Sequence, residues 1–223
     1  MPKPRRTNIG GLVYHVLNRA NARLPIFEAE GDYAAFLRIV AEAHEKVPMR
    51  LLDYCLMPNH WHFVMWPHAD GDLSRFMHWL TLTHATRWQT AHQVIGMGHL
   101  YGSRFKNFPV EDDRYYLTVC RYVVRNPLRA GLVSRAEEWP WSSLHQRLKG
   151  ISDGRPPLAD GPLAYPENWL DIVNTEQSEE ELKTLRHCVH RGVPFGKASW
   201  VELVARQMGI PIVPRPRGRP RKT

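Results

Sequence analysis

Two apolar runs joined by a short turn constrain this chain more than any other feature. Residues 50–57 read Arg-Leu-Leu-Asp-Tyr-Cys-Leu-Met and residues 60–66 read His-Trp-His-Phe-Val-Met-Trp, with Pro58-Asn59 between them. Two β-prone runs across a Pro-Asn turn predict an antiparallel hairpin. The second run is apolar without interruption from Phe63 to Trp66, which places it in the middle of a sheet rather than at an edge. Side chains alternate faces along a strand, so His60 and His62 project together while Trp61 packs the other way. Two imidazoles on one face can hold a divalent ion. Two polar residues on a solvated face would be spelled the same way.

The rest of the chain supplies layers for that hairpin. Residues 10–18 read as a first strand. Tyr33, Phe36, Leu37, Val40 and His44 recur at helical intervals before Pro48, and Leu73, Phe76, Met77, Leu80, His84 and Trp88 trace a second stripe. Residues 96–108 mix Gly, Arg, Lys and aromatics, as a loop with a short strand would. A third helix is predicted from Arg114 to Arg125, ended by Asn126-Pro127 because a residue before proline resists the α region. Strands and helices alternate, yet the hairpin is antiparallel and the helices look one-sided. That pattern predicts an α+β layer, with helices on one face of an antiparallel sheet, over a doubly wound parallel sheet.

The third helix carries a second chemical signal. Leu117, Cys120 and Val124 share one face at about 100° per residue, and that face is expected to be the buried one. Tyr122 and Asn126, one turn apart, lie together on roughly the opposite side. A tyrosine off the core stripe beside a carboxamide suits chemistry at an ion, with Asn126 as an oxygen ligand. An ordinary helix end, with Tyr122 covering the next layer, suits the same residues.

Charge and cysteines bound the setting. The formal net charge is +8, and Lys3, Arg5 and Arg6 with Arg215, Arg217, Arg219, Arg221 and Lys222 account for all of it. Basic ends on a balanced body are what polyanion-binding proteins carry, and also what solvated tails look like. Cys55, Cys120 and Cys188 are odd in number and widely spaced, which argues for a reducing compartment and a cytoplasmic location. No stretch approaches the roughly 20 apolar residues of a membrane span.

The ordered blocks Tyr54-x-x-Met-Pro-Asn-His-x-His-Phe63, Arg104-Phe-Lys-x-Phe-Pro109, Val119-Cys-Arg-Tyr-Val-x-Arg-Asn-Pro-Leu-Arg-Ala-Gly-Leu-Val133 and Trp139-x-Trp-Ser-Ser143 resemble the REP-associated tyrosine transposases of the HUH single-strand endonuclease superfamily. The resemblance spans about residues 8–145. It implies a ferredoxin-like antiparallel sheet with His60 and His62 on a central strand as ligands of Mg²⁺ or Mn²⁺. Asn126 is implied as the third ligand, where insertion-sequence transposases of that superfamily usually have the longer glutamine. Tyr122 is implied as the single nucleophile, forming a 5′-phosphotyrosine on single-stranded or hairpin DNA. Tyr115 and Tyr116 are near it, but neither has Asn or Gln four residues on.

The organisation that follows is a catalytic domain at 1–148, a Pro/Gly-rich linker or wrapping segment at 149–177, a small helical C-terminal extension at 178–210 and a basic tail at 211–223. Arg104 and Lys106, interleaved with Phe105 and Phe108, match a strand-binding surface, and equally a half-buried strand with outward charges. Arg217-Gly-Arg219-Pro resembles an AT-hook, whose arginines enter an A·T-rich minor groove. Two rival readings keep much of this pattern: a DNA-hairpin-binding protein that does not cut, and a metal-dependent hydrolase that uses water.

Overall fold

The computed structural model describes residues 7–96 and 98–211. The chain runs β1 (Val13–Arg19), α1 (Glu30–Lys46), β2 (Met49–Met57), β3 (His60–Pro67), α2 (Asp72–Ala91) and β4 (Lys106–Val110). The four strands form one sheet ordered β2-β3-β1-β4, and every neighbouring pair is antiparallel. That order, with a helix after the first and third strands, is the expected ferredoxin-like arrangement. β3 and β1 are its two central strands.

Local chemistry sets these elements. Met57 pairs with His60 across the Pro58-Asn59 turn. The turn is pinned from outside, because the Pro58 carbonyl accepts from the amides of Ile26 and Phe27 at 2.8 and 3.1 Å. At the start of α1 the Asp32 carboxylate accepts from the amides of Glu28 and Ala29, both at 3.0 Å, and supplies negative charge to the first turn. The helix ends at Val47, which the following Pro48 forces into an extended conformation (φ −136°, ψ 103°).

Alternation along the strands divides the interior in two. Tyr14, Val16, Leu56, Trp61, Phe63 and Met65 face α1 and α2, which lie together on one side of the sheet. Val13, Cys55, Met57, Val64, Phe108 and Val110 face the other side, where α3 (Arg114–Val124) packs. The helices of the ferredoxin-like repeat thus share one face as expected, and a later helix covers the face that carries His60 and His62. The buried arc of α3 differs from the predicted stripe: Tyr116, Val119, Cys120, Tyr122, Val123 and Val124 are buried, while Leu117 is only partly so. The sheet lies under one side of α3 and α6 (Trp169–Asn174) packs beside it, so its apolar arc is wider than a single contact requires.

Past α3 the chain spends one residue, Arg125, before α4 (Asn126–Arg129), whose first turn holds Pro127. There its missing N–H costs nothing. α5 (Ser143–Lys149) follows, capped by Ser142 Oγ accepting from the His145 amide at 3.2 Å.

A bulge at Leu52 shifts the β2–β3 register and leaves Asp53 almost fully buried. Its carboxylate accepts from Ser143 Oγ at 2.5 Å and from the Tyr165 hydroxyl at 2.6 Å. That anchor ties the start of α5 and the Pro/Gly-rich stretch to β2. The stretch lies along the β2 edge, where the Ala159 amide donates to the Leu51 carbonyl at 2.9 Å. At the opposite edge Phe195, between α7 (Glu179–Arg191) and α8 (Ala198–Met208), exchanges backbone bonds of 2.9 Å with Pro109 and Glu111 beside β4. Both edges are covered, which removes the template for strand addition that an open edge presents. Among the described residues no helix is long and apolar enough to cross a membrane. Cys55, Cys120 and Cys188 are buried and unbridged.

Candidate active site

The β1–β3 pairing places three imidazoles together. His60 and His62 sit on the face of β3 toward α3, with ring centroids 5.0 Å apart. Across the ladder His60 opposes Arg19 and His62 opposes Leu17. From the same face of β1, His15 Nε2 meets His62 Nδ1 at 2.9 Å, and its ring rests 4.9 Å from Phe108. Burial holds all three neutral: His15 is pushed down to about 3 by desolvation, and His60 to about 3 by desolvation and then by the Arg19 and Arg129 charges. His62 lies well below the usual imidazole range, first because it is buried and then because His60, His15 and two arginines surround it.

Tyr122 approaches from α3. Its ring stands edge-on to His62 at 5.9 Å and to His15 at 6.0 Å. It is 7% exposed, so the expectation that it faces away from the core does not hold. It turns into the space between α3 and the sheet, where it lines a cleft with His60 and His62. Its hydroxyl makes no hydrogen bond among the described residues. Asn126 Nδ2 donates to the carbonyls of Tyr122 and Val123 at 3.2 Å, closing the last turn of α3. Asn126 Oδ1 accepts from Arg129 Nη2, and the Arg129 guanidinium lies 4.4 Å over the Tyr122 ring.

These groups open onto one cleft of about 430 Å³, lined by His60, His62, Tyr122, Asn126 and Arg129 with Arg19, Lys106 and Arg186. The structure therefore brings together His60, His62, Tyr122, Asn126 and Lys106. Arg104 is exposed and lines a separate groove of about 990 Å³ along α2. Arg217 and Arg219, with the AT-hook-like tail, lie outside the described residues. Tyr115 packs edge-on against Phe195 and Tyr116 lies beside Tyr165, so neither reaches the cleft.

Three cleft residues were not anticipated, and two of them, Arg19 and Arg186, carried no recognisable signal. Arg129 had a readable cue, standing three residues after Asn126 on the same helical surface. His15, on the first strand and one of twelve histidines, could be placed near the site from the sequence, but no spacing required it there. Its role depends on strand register, which the sequence does not state.

The donor set can be tested against a divalent ion. His60 Nδ1 lies 2.6 Å from Asn59 Oδ1, an acceptor, so that nitrogen carries the proton and Nε2 keeps its lone pair. His62 Nδ1 is engaged by His15, and neither Nε2 has a partner among the described residues. Asn126 Oδ1 has a second lone pair beyond the one Arg129 uses. Among the described residues no group of three or more His, Cys, Asp or Glu is placed to hold a metal, so two imidazoles and a carboxamide are what the cleft offers. The amide oxygen is of the type Mg²⁺ and Mn²⁺ favour, whereas two imidazole nitrogens are the type softer divalent ions favour, so the set admits a divalent ion without selecting Mg²⁺ or Mn²⁺.

The family model described as "Transposase IS200 like" matches residues 8–126, which run from the approach to β1 through Asn126 and include both histidines and Tyr122. This chain belongs to the IS200-like transposases. Within them it is similar to an Escherichia coli (strain K12) protein named REP-associated tyrosine transposase, 21% identical over 174 residues, covering 78% of this chain and 93% of the relative. A solved REP-associated tyrosine transposase bound to a REP hairpin superposes with a TM-score of 0.53 at 19% identity, covering 70% of this IS200-like chain and 92% of the solved one. That likeness shows the shared fold. The resemblance to REP-associated tyrosine transposases read from the motif blocks holds.

Proposed function

We propose that this transposase nicks and rejoins single-stranded DNA, at hairpins formed by palindromic repeats, through a covalent 5′-phosphotyrosine on Tyr122 with Mg²⁺ or Mn²⁺ held by His60, His62 and Asn126. The observation that carries this reading is the convergence of the Tyr122 ring and both strand histidines on one cleft, with the phenol 5.9 Å from His62 by ring centroids. Hairpin DNA is supported by the solved relative, which binds a REP hairpin.

An ion held by His60, His62 and Asn126 would supply Lewis-acid polarisation of the scissile phosphate, which a phenol near pKa 10 needs from its surroundings at neutral pH. The chain's own part is positioning. Asn126 fixes the last turn of α3 and with it the backbone that carries Tyr122. The sheet beneath holds the imidazoles rigid and neutral. Tyr122 oxygen bonds to phosphorus, the bond from phosphorus to the 3′-oxygen breaks, the phenolic proton passes to water in the open cleft, and the departing oxygen takes a proton back from that water to become a 3′-hydroxyl. The phosphoester is conserved in the tyrosyl linkage, so attack by another 3′-hydroxyl rejoins strands. Water as nucleophile would discard that linkage, which is why a tyrosine suits transposition.

The test is a labelled single-stranded hairpin oligonucleotide carrying a repeat palindrome, incubated with Mn²⁺ and run under denaturing conditions. A protein-linked label is expected from the unaltered chain and none from Tyr122→Phe. An equal adduct from Tyr122→Phe would assign the nucleophile elsewhere.

A further inference from the structure

We propose that Arg129 is the phosphate clamp of this cleft, a guanidinium that grips a non-bridging oxygen of the entering DNA strand beside the Tyr122 phenol. The inference rests on the reading that a strand enters at Tyr122, and it assigns a residue which that reading leaves without a role.

Arg129 is largely buried, yet every protein group it touches is neutral. Nη2 donates to Asn126 Oδ1, Nη1 reaches Gln177 Oε1 at 3.5 Å, and the plane covers the Tyr122 ring. Among the described residues no carboxylate bonds to it; after burial the strongest influence on it is the Tyr122 phenol, which favours its charge, and Arg186 and Arg125 then oppose it. No Asp or Glu lines the cleft, while Arg19, Lys106 and Arg186 do. Burying a cation without a counter-ion is among the costlier arrangements a fold can adopt, and guanidinium cannot escape by losing its proton. Such a site is satisfied when an anion arrives.

The geometry also selects the anion. Arg129 uses one N–H on each terminal nitrogen, so donors remain for the forked contact that a phosphate accepts. With its carbon centre 4.4 Å from the Tyr122 centroid, an oxygen held on its free edge sits beside the phenol. A lysine would supply the charge without the planar cover over the ring. A purely structural staple would need the ring and the carboxamide, and would have no use for a cleft lined by three further cations.

Counterion release separates the two roles. The full chain, with EDTA present and a roughly 20-nucleotide oligothymidylate as probe, would be titrated by fluorescence anisotropy between about 50 and 200 mM NaCl. Each neutralised phosphate contributes about 0.7 to the slope of log K against log salt for single strands. Arg129→Gln is expected to lower the slope by about that amount, and Arg129→Lys to hold it. Loss of a merely structural contact would weaken binding equally at every salt concentration. A wild-type slope in Arg129→Gln overturns the proposal. If that variant melts early, Arg129→Met, which keeps an apolar stem over the ring, is judged by the same slope. Tyr122→Phe should keep the slope while losing the covalent adduct, so a failure of the clamp and a failure of the nucleophile give different results.

Discussion

Acid should unfold this protein through its buried histidines, by at least the amount that two of them set. His15 and His84 are fully or almost fully buried, and desolvation pushes each down to about 3. An unfolded imidazole titrates near 6.5. Between those values the unfolded chain binds a proton that the folded chain refuses, so stability is complete above about 6.5 and falls as pH drops toward 3. At pH 5 each histidine has cost about 2 kcal/mol, from roughly 1.5 pH units at about 1.4 kcal/mol each, or about 4 kcal/mol for the pair. His44, His60 and His62 are shifted in the same direction and add to the loss. Asp53 opposes it, because burial raises its carboxyl above the ordinary range, but it is one group against several. A loss of about 4 kcal/mol is a large share of the 5–15 kcal/mol that holds a typical domain. Urea unfolding at pH 7.5 and 5.0, both with EDTA, should move the midpoint down by at least about 1.5 M. His84→Gln removes one of the two titrations and should flatten the dependence while leaving the cleft alone. Equal midpoints at the two pH values would refute the reasoning.

The remaining predictions concern the site and its anchor. His15→Phe keeps the ring volume against Phe108 but deletes the 2.9 Å partner of His62 Nδ1. Removing a partner that orients a metal-binding histidine typically costs 10–100-fold in affinity, so calorimetric Mn²⁺ binding should weaken by about that factor. Affinity within twofold of the parent would remove His15 from the site. Asp53→Ala removes the short acceptor of the Ser143 and Tyr165 hydroxyls, leaving Ser143 its 3.2 Å bond to the Tyr54 carbonyl and Tyr165 its 3.4 Å contact with the Tyr116 hydroxyl, which should cost about 2 kcal/mol in a denaturant titration. Asp53→Asn, which can still accept from one of them, should cost less.

What the sequence made legible follows from the range of each signal. The β2–β3 hairpin, α1 and α2 were readable because periodicity and turn chemistry are local. The pairing of His60 with His62 on one face was readable for the same reason. Tyr122 was singled out by spacing from Asn126, although the argument that it stood off the core stripe fails: the helix is buried on two sides and the phenol fills a cleft. The Asp53 bulge was not readable, since its partners lie 90 and 112 residues away. His15 could be suspected near the site from its place on the first strand, but only the β1–β3 register sets it against His62. The cue at Arg129, three residues after Asn126, was easily passed over because a cation near a helix end is commonplace on a surface, and only depth makes this one unusual.

Depth also explains why one cleft can serve two partners of opposite sign. The same low-dielectric setting acts on every ionisable group there, but the groups differ in how they can respond. Imidazoles give up their protons and become neutral, leaving lone pairs on His60 and His62 for a cation. A guanidinium cannot give up its proton at any accessible pH, so in Arg129 burial leaves a charge that only an anion can meet. A divalent ion and a phosphate are each other's counter-ions as well. Filling either half of the cleft therefore favours filling the other, and the proposed chemistry needs both at once.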